Sequence, residues 1–236
     1  MSALAISPIR RAVGFYDAPI GKKVVMAVTG LILFGYVIGH LLGNLQIYAP
    51  DHGQINRYAA FLHNPANLVP LWAIRAFLLA AVILHVIAAV QLWLQNRAAR
   101  PDGYVRTTDV PTAYAARTMK WSGVIVGAFI VFHILHLTAG AIPGLPAGEL
   151  GPNAPNVRAN LVQGFLNPWV SGFYILAMIL LCMHLYHGLY SMFQSLGFSH
   201  PRHTPRIKKG AAVVAILIAA GNISIPLAVL AGIVTL

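Results

Sequence analysis

The stretch Leu181-Cys-Met-His-Leu-Tyr-His-Gly-Leu-Tyr-Ser-Met-Phe-Gln-Ser-Leu-Gly197 decides how this chain is read. It sets His184 and His187 in a run otherwise apolar enough to lie in a bilayer. An ionisable side chain in hydrocarbon costs roughly 2.5–3.5 kcal/mol or more, so such a residue has a partner or a task. Three further apolar stretches carry deep histidines: His40, His85, and the pair His133 and His136. Four histidine-bearing spans make a constellation, and the rest of the chain is the frame that holds it.

The frame is a membrane protein. Of 236 residues, 58% are hydrophobic and only 9% charged, against about 25% charged in soluble domains. The net charge of +11 raises a nucleic-acid reading. The basic residues flank apolar spans instead of lining a polar domain, which argues against nucleic acid as a partner and for membrane lipid. The single cysteine, Cys182, excludes an internal disulfide and a four-cysteine metal site, and mid-span it reads as a small apolar filler. Near the start, Arg10 and Arg11 lead to Gly14-Phe-Tyr-Asp-Ala-Pro19 with no short apolar run ending in a cleavage signal, so no removable signal peptide is expected.

Residues 1–22 read as an amphipathic lead-in at the surface. Five spans follow, at about 24–47, 71–94, 121–142, 169–196 and 211–236, each long enough for the ~20 residues a transmembrane helix needs. Polar or Pro/Gly-rich loops separate them at 49–70, 95–120 and 143–168. Backbone groups in hydrocarbon need internal partners, so these spans are predicted as helices of an all-α integral membrane fold. Lysine and arginine fix the orientation. Arg10, Arg11, Lys22, Lys23, Arg97, Arg100, Arg106, Arg117, Lys120, Arg202, Arg206, Lys208 and Lys209 fall on one side, and only Arg57, Arg75 and Arg158 on the other. That asymmetry predicts a cytoplasmic N-terminus and an outer C-terminus. Trp72, Trp121 and Trp169 stand at span starts, as interfacial anchors should. The chain reads as a single domain without an internal repeat.

A lone intramembrane imidazole is as often a hydrogen-bonding strut as a ligand, and His52, His63, His200 and His203 read as solvated loop residues. Four helices each contributing one at depth change the balance. Neutral imidazole is an axial ligand of haem iron, and facing helices of a bundle can each supply one. At about 1.5 Å rise per residue, His40 lies ~25 Å from Lys23 and His133 ~20 Å from Lys120, while His85 and His184 lie ~21–22 Å from the outer entries at Leu71 and Trp169. This arithmetic suggests an outer pair, His40 with His133, and an inner pair, His85 with His184. It does not separate His133 from His136, or His184 from His187. Asp17, Asp51, Asp102, Asp109 and Glu149 all fall outside the spans, which weakens a transporter relay. There is no phosphate loop, nucleophile elbow or zinc-type histidine–glutamate motif. A haem-free transporter or scaffold with structural histidines is the competing reading from another class.

The motifs match a family over essentially the whole chain. They are Ile20-Gly-Lys-Lys-Val-Val-Met-Ala-Val-Thr-Gly30 leading to Gly39-His40-Leu-Leu-Gly-Asn-Leu45, Ala60-Phe-Leu-His63, Arg75 ahead of His85, Ser122-Gly123 before His133, and the stretch from His184 to Gly197. With these the chain resembles the di-haem cytochrome b membrane subunit of bacterial succinate:quinone oxidoreductases, the five-helix b558 type of succinate dehydrogenase and fumarate reductase. The resemblance implies four helices bundled around two b haems. His40 and His133 would hold the distal haem, and His85 and His184 the proximal haem nearest the cytoplasmic partner. It prefers His133 to His136 because the ligand follows the Ser-Gly pair by ten, and His184 to His187 because the ligand precedes Gly188 by four. His136 and His187, one turn away, become contacts for propionates or quinone, or plain packing. Arg75 becomes a partner for distal propionates, or a snorkelling interface arginine. Lys22, Lys23, Arg117 and Lys120 could dock an iron–sulfur subunit, meet proximal propionates, or enforce topology. Some fumarate-reductase relatives carry a glutamate where this chain has Cys182, which puts a transmembrane proton route through that helix in doubt.

The resemblance further implies flavoprotein and iron–sulfur partner subunits, a quinone acceptor (menaquinone in preference to ubiquinone), and a multi-pass place in the bacterial inner membrane. Catalysis then belongs to the complex, within the tricarboxylic acid cycle and electron transport, and no residue of this chain is assigned as catalytic. A di-haem b subunit of a hydrogenase or formate dehydrogenase is the alternative within redox chemistry. The direction of flux and the oligomeric state are left open.

Overall fold

The computed structural model describes residues 14–99, 114–142, 145, 150–151 and 154–236. Arg10, Arg11, Arg100, Asp102, Arg106, Asp109 and Glu149 lie outside them, as do the side chains of 114–118 and so that of Arg117. Seven α-helices are described: α1 Pro19–Asn44, α2 Gln54–Leu62, α3 Leu68–Ala98, α4 Tyr114–His133, α5 Val157–Leu166, α6 Pro168–Ser195 and α7 Thr204–Leu230. A two-residue antiparallel ladder, Leu150 with Pro155 and Gly151 with Ala154, precedes α5. Five helical segments, built on α1, α3, α4, α6 and α7, are long and apolar enough to cross a membrane.

Local chemistry sets the boundaries. Pro19 and Pro168 occupy the first turns of α1 and α6, where their missing N–H costs nothing. Asn167 Oδ1 accepts from the Trp169 and Val170 amides at 3.0 and 3.4 Å, capping α6. At the far end of α6, Gly197 adopts φ +84°, and the Phe198 amide returns to the Phe193 carbonyl at 2.9 Å. α1 tightens into a 3₁₀ turn, Leu45–Tyr48, and stops at extended Ala49 before Pro50. α4 passes into a π turn, Ile134–Thr138.

The helices alternate in direction. Tyr16 donates to Gln91 Oε1 at 2.8 Å, and Lys120 lies over the Trp93 ring, so the start of α1, the end of α3 and the start of α4 share one end. α6 starts with Tyr174 beside His136, past the far end of α4, and so runs back to bring the α6–α7 turn, where Lys208 lies over Tyr190, to this same end. This is the basic end. At the opposite end Tyr48 donates to Ser224, and Tyr174 meets His136. Interior positions are small (Ala27, Thr29, Ala81, Ala88, Ser122, Ser171, Ala177, Ala211, Ala215, Ala219), while Trp72, Phe77, Leu79, Trp121, Trp169 and Leu217 are exposed. Large apolar outside and small inside is the pattern of helices packed in lipid.

Several expectations need correction. α7 begins at Thr204 and ends at Leu230, earlier than the predicted 211–236, because Pro205 starts the helix and Gly232 at φ +69° stops it. The loops at 49–70 and 143–168 are not merely loops. The first contains α2, and the second contains α5, a helix with Arg158, Ala159, Asn160, Leu161, Val162, Gly164 and Phe165 all buried. α5 packs on α2, α6, α7 and the π turn, and the largest apolar cluster gathers around it. Arg158, one of the three basic residues counted opposite the main cluster of charge, is only 7% exposed. Its guanidinium donates to the Ile47 carbonyl at 3.1 Å and the Thr235 carbonyl at 3.0 Å, tying the 3₁₀ turn after α1 and the segment after α7 to α5.

Candidate haem-ligand site

Within the frame, α1 packs on α3 and α6, and α4 packs on α6. Two other pairs, α1 with α4 and α3 with α6, are absent from the main packing partners and meet through imidazoles. The His40 and His133 ring centroids are 5.7 Å apart, and those of His85 and His184 are 6.4 Å apart. These are the two pairs that the depth arithmetic indicates. Their offset follows from one helix: Gly30 of α1 lies beside His85, and His40 on the same helix faces His133.

The inner pair rests on two glycines. A Cβ at Gly30 would stand 3.4 Å from His85 Cε1, and one at Gly123 would stand 3.6 Å from His184 Cε1. Thr29 is buried; its hydroxyl donates to the Val25 carbonyl at 2.7 Å and lies 3.1 Å from His85 Nδ1. His184 Nδ1 is buried with no hydrogen-bond partner. His187, one turn on, has both nitrogens engaged within its own helix, Nδ1 with Tyr190 at 2.9 Å and Nε2 with Ser191 at 3.2 Å. Of the two, His184 is the one that faces another helix's imidazole.

In the outer pair, His40 stacks on Tyr36 at 5.4 Å, and His133 Nδ1 lies 3.4 Å from the Tyr174 hydroxyl. That hydroxyl is also 3.0 Å from Nδ1 of His136, which is 2% exposed. His136 turns toward α5, where a Cβ at Gly164 would stand 2.9 Å from its Cε1; its Nε2 is buried without a partner. Arg75 lies over the Trp72 ring and 3.4 Å from His63 Nε2. His63, read from sequence as solvated, is half-buried and holds the Ala59 carbonyl at 2.9 Å. Lys23 is exposed near the start of α1. Lys22 is 5% exposed and donates to the Tyr16 and Asp17 carbonyls at 3.0 and 2.8 Å, so it caps the helical turn at 14–17.

The donor set fits a haem better than a bare ion. Among the described residues no group of three or more His, Cys, Asp or Glu could hold a metal. Two protein nitrogens suffice where a macrocycle supplies the other positions. The two imidazole pairs, with centroids 5.7 and 6.4 Å apart, would each supply the two protein nitrogens of one haem. Tyr174, Thr29 and α5 were not among the residues singled out from sequence. Thr29 has a visible signal, since Thr29-Gly30 precedes His40 as Ser122-Gly123 precedes His133.

The family model of the succinate dehydrogenase/fumarate reductase transmembrane subunit matches residues 94–223, more than half of the chain. The chain belongs to this family. Comparison with curated proteins and with solved structures gives no match. As a succinate dehydrogenase/fumarate reductase membrane subunit, the chain is an anchor with five apolar helices in a multi-pass arrangement. The matched residues take in His133, His136, His184 and His187. His40 and His85 precede the match and join the set through the imidazole pairing.

Proposed function

We propose that this chain anchors succinate dehydrogenase (complex II) in a bacterial inner membrane and passes electrons from an iron–sulfur partner through two b haems to a quinone, menaquinone by the di-haem family type. The flavoprotein and iron–sulfur subunits dock on the basic, cytoplasmic end, where Lys23 is exposed. The observation that carries this reading is the pairing of four imidazoles from four helices, at 5.7 and 6.4 Å. His40 and His133 hold the distal haem, and His85 and His184 the proximal one. When bound, each haem supplies a one-electron couple with no open iron position, so oxygen binding is excluded. The protein's own part is to orient the imidazoles, exclude water with packed small residues, and keep the two pairs at different depths. Arg75, near the outer end beside Trp72 and His63, would meet the distal propionates.

A pyridine haemochrome assay on the purified complex tests the reading directly. Two haems b per chain are expected, with flavoprotein and iron–sulfur subunits co-purifying and succinate reducing quinone. An absence of haem would leave the histidines as struts. A hydrogenase or formate dehydrogenase subunit in place of the flavoprotein would reassign the chain to that complex.

A further inference from the structure

The two helices that begin the outer pair carry one pattern twice: Thr29-Gly30 with His40 on α1, and Ser122-Gly123 with His133 on α4. A chain that reads as free of repeats therefore holds a short one, and in the folded protein its hydroxyl ends do not serve the histidines of their own helices. Gly30 and Gly123 abut His85 and His184, the inner pair, and each is preceded by a buried hydroxyl residue, Thr29 at 5% and Ser122 at 2% exposure.

The contacts at Thr29 allow one consistent set of hydrogen-bond roles. A hydroxyl has one proton and two lone pairs. Thr29 gives its proton to the Val25 carbonyl, the shorter of its two backbone contacts at 2.7 Å against 3.2 Å for Met26. What it offers His85 Nδ1 at 3.1 Å is a lone pair. With the Thr29 proton on Val25, that contact calls for the hydrogen on His85 Nδ1, which leaves Nε2 bare as the donor to a metal. Ser122 likewise donates backward, to the Met119 carbonyl at 3.0 Å, and has lone pairs remaining. On α6, His184 Nδ1 is buried without a partner.

We propose that Thr29 and Ser122 are paired positioning residues for the inner haem, accepting from Nδ1–H of His85 and His184 so that both present Nε2 to the iron. Gly123, the next residue, borders the His184 ring: a Cβ there would stand 3.9 Å from His184 Nδ1. In the outer pair the hydroxyl beside Nδ1 of His133 is the Tyr174 phenol at 3.4 Å, shared with His136, and His40 stacks on Tyr36. An acceptor on Nδ1–H makes the imidazole a stronger electron donor and favours the oxidised iron. The inner haem is held at a lower potential than it would have without Thr29 and Ser122.

This inference rests on the proposed haem assignment, and one experiment separates their failures. Redox titration with optical and low-spin EPR detection is run on the purified complex for wild type, Thr29→Val, Thr29→Ser and Ser122→Ala. The inner haem is identified as the component that His184→Ala removes. Thr29→Val and Ser122→Ala are expected to shift that component to higher potential and alter its EPR signal, with the outer component unmoved. Thr29→Ser is expected to restore the wild-type values, including when Thr29→Val fails to retain the haem. Unchanged potentials in Thr29→Val and Ser122→Ala, or a Thr29→Ser variant no better than Thr29→Val, would overturn the positioning role and leave the haem assignment standing. A wild-type complex without haem would overturn both.

Discussion

At the scale of single residues, the choice between His184 and His187 is the sharpest. His187→Ala is expected to keep both haems, because Tyr190 and Ser191 occupy its two nitrogens. His184→Ala is expected to lose one haem and quinone reduction while succinate oxidation with a soluble acceptor survives. A reduced-minus-oxidised spectrum beside the two activity assays decides it. The physical reason was present in the sequence, since hydroxyls three and four residues after His187 lie on its own face of the helix. The family pattern supplied the preference for His184, and the geometry adds the cause. Arg158 was less legible. Nothing local distinguishes an interfacial arginine from one whose guanidinium ties together the Ile47 and Thr235 carbonyls. Arg158→Met is expected to cost on the order of 3 kcal/mol by losing two charged hydrogen bonds, read as a lower melting temperature in detergent.

At the scale of elements, the five long helices were legible because length and apolarity alone require them. The helix α5 was not. Its ten residues, Val157–Leu166, are buried nearly all round, so they show no polar–apolar period, and the asparagines and prolines beside them read as turns. One of those asparagines is in fact its cap: Asn156 Oδ1 accepts from the Ala159 amide at 3.1 Å and from Asn56 at 2.9 Å. Asn156→Ala is expected to lower stability by about 1 kcal/mol. Gly164→Ala must push on the buried His136 ring, and is expected to cost about 1–3 kcal/mol as an overpacked contact. Thermal unfolding of both variants, with the haem spectrum followed in parallel, measures the two effects. The π turn after His133 was equally hidden, because no residue type announces it. It lies where the chain turns His136 toward α5, away from the partner that His133 faces.

At the scale of the whole molecule, the pairing of helices is the testable object. His85→Ala and His184→Ala are expected to remove the same haem, and His40→Ala and His133→Ala the other, as judged by which potential disappears in a redox titration. A variant of one pair that removes the other pair's component would overturn the assignment. The depth arithmetic anticipated this pairing because each histidine's distance from a span entry is a sequence quantity. The packing that enforces it was out of reach, since it depends on which small residues (Ala27, Ala81, Ala177, Ala215) close each helix contact. Reporter fusions test the expected orientation: the C-terminus after α7 should report the outer compartment, and the α6–α7 turn the cytoplasm.

The ten-residue offset from Gly30 to His40 makes the proposed redox chain a voltmeter. It separates the two imidazole pairs by about 15 Å along α1, roughly half of a hydrocarbon core about 30 Å thick. An electron passing between the pairs then crosses about half of the membrane field, worth about 1.2 kcal/mol per 100 mV. With the basic end inside, an inside-negative potential draws the electron toward the His40–His133 pair. In sealed vesicles, 100 mV should shift the electron distribution between the two sites about sevenfold. A distribution indifferent to voltage would place both pairs at one depth.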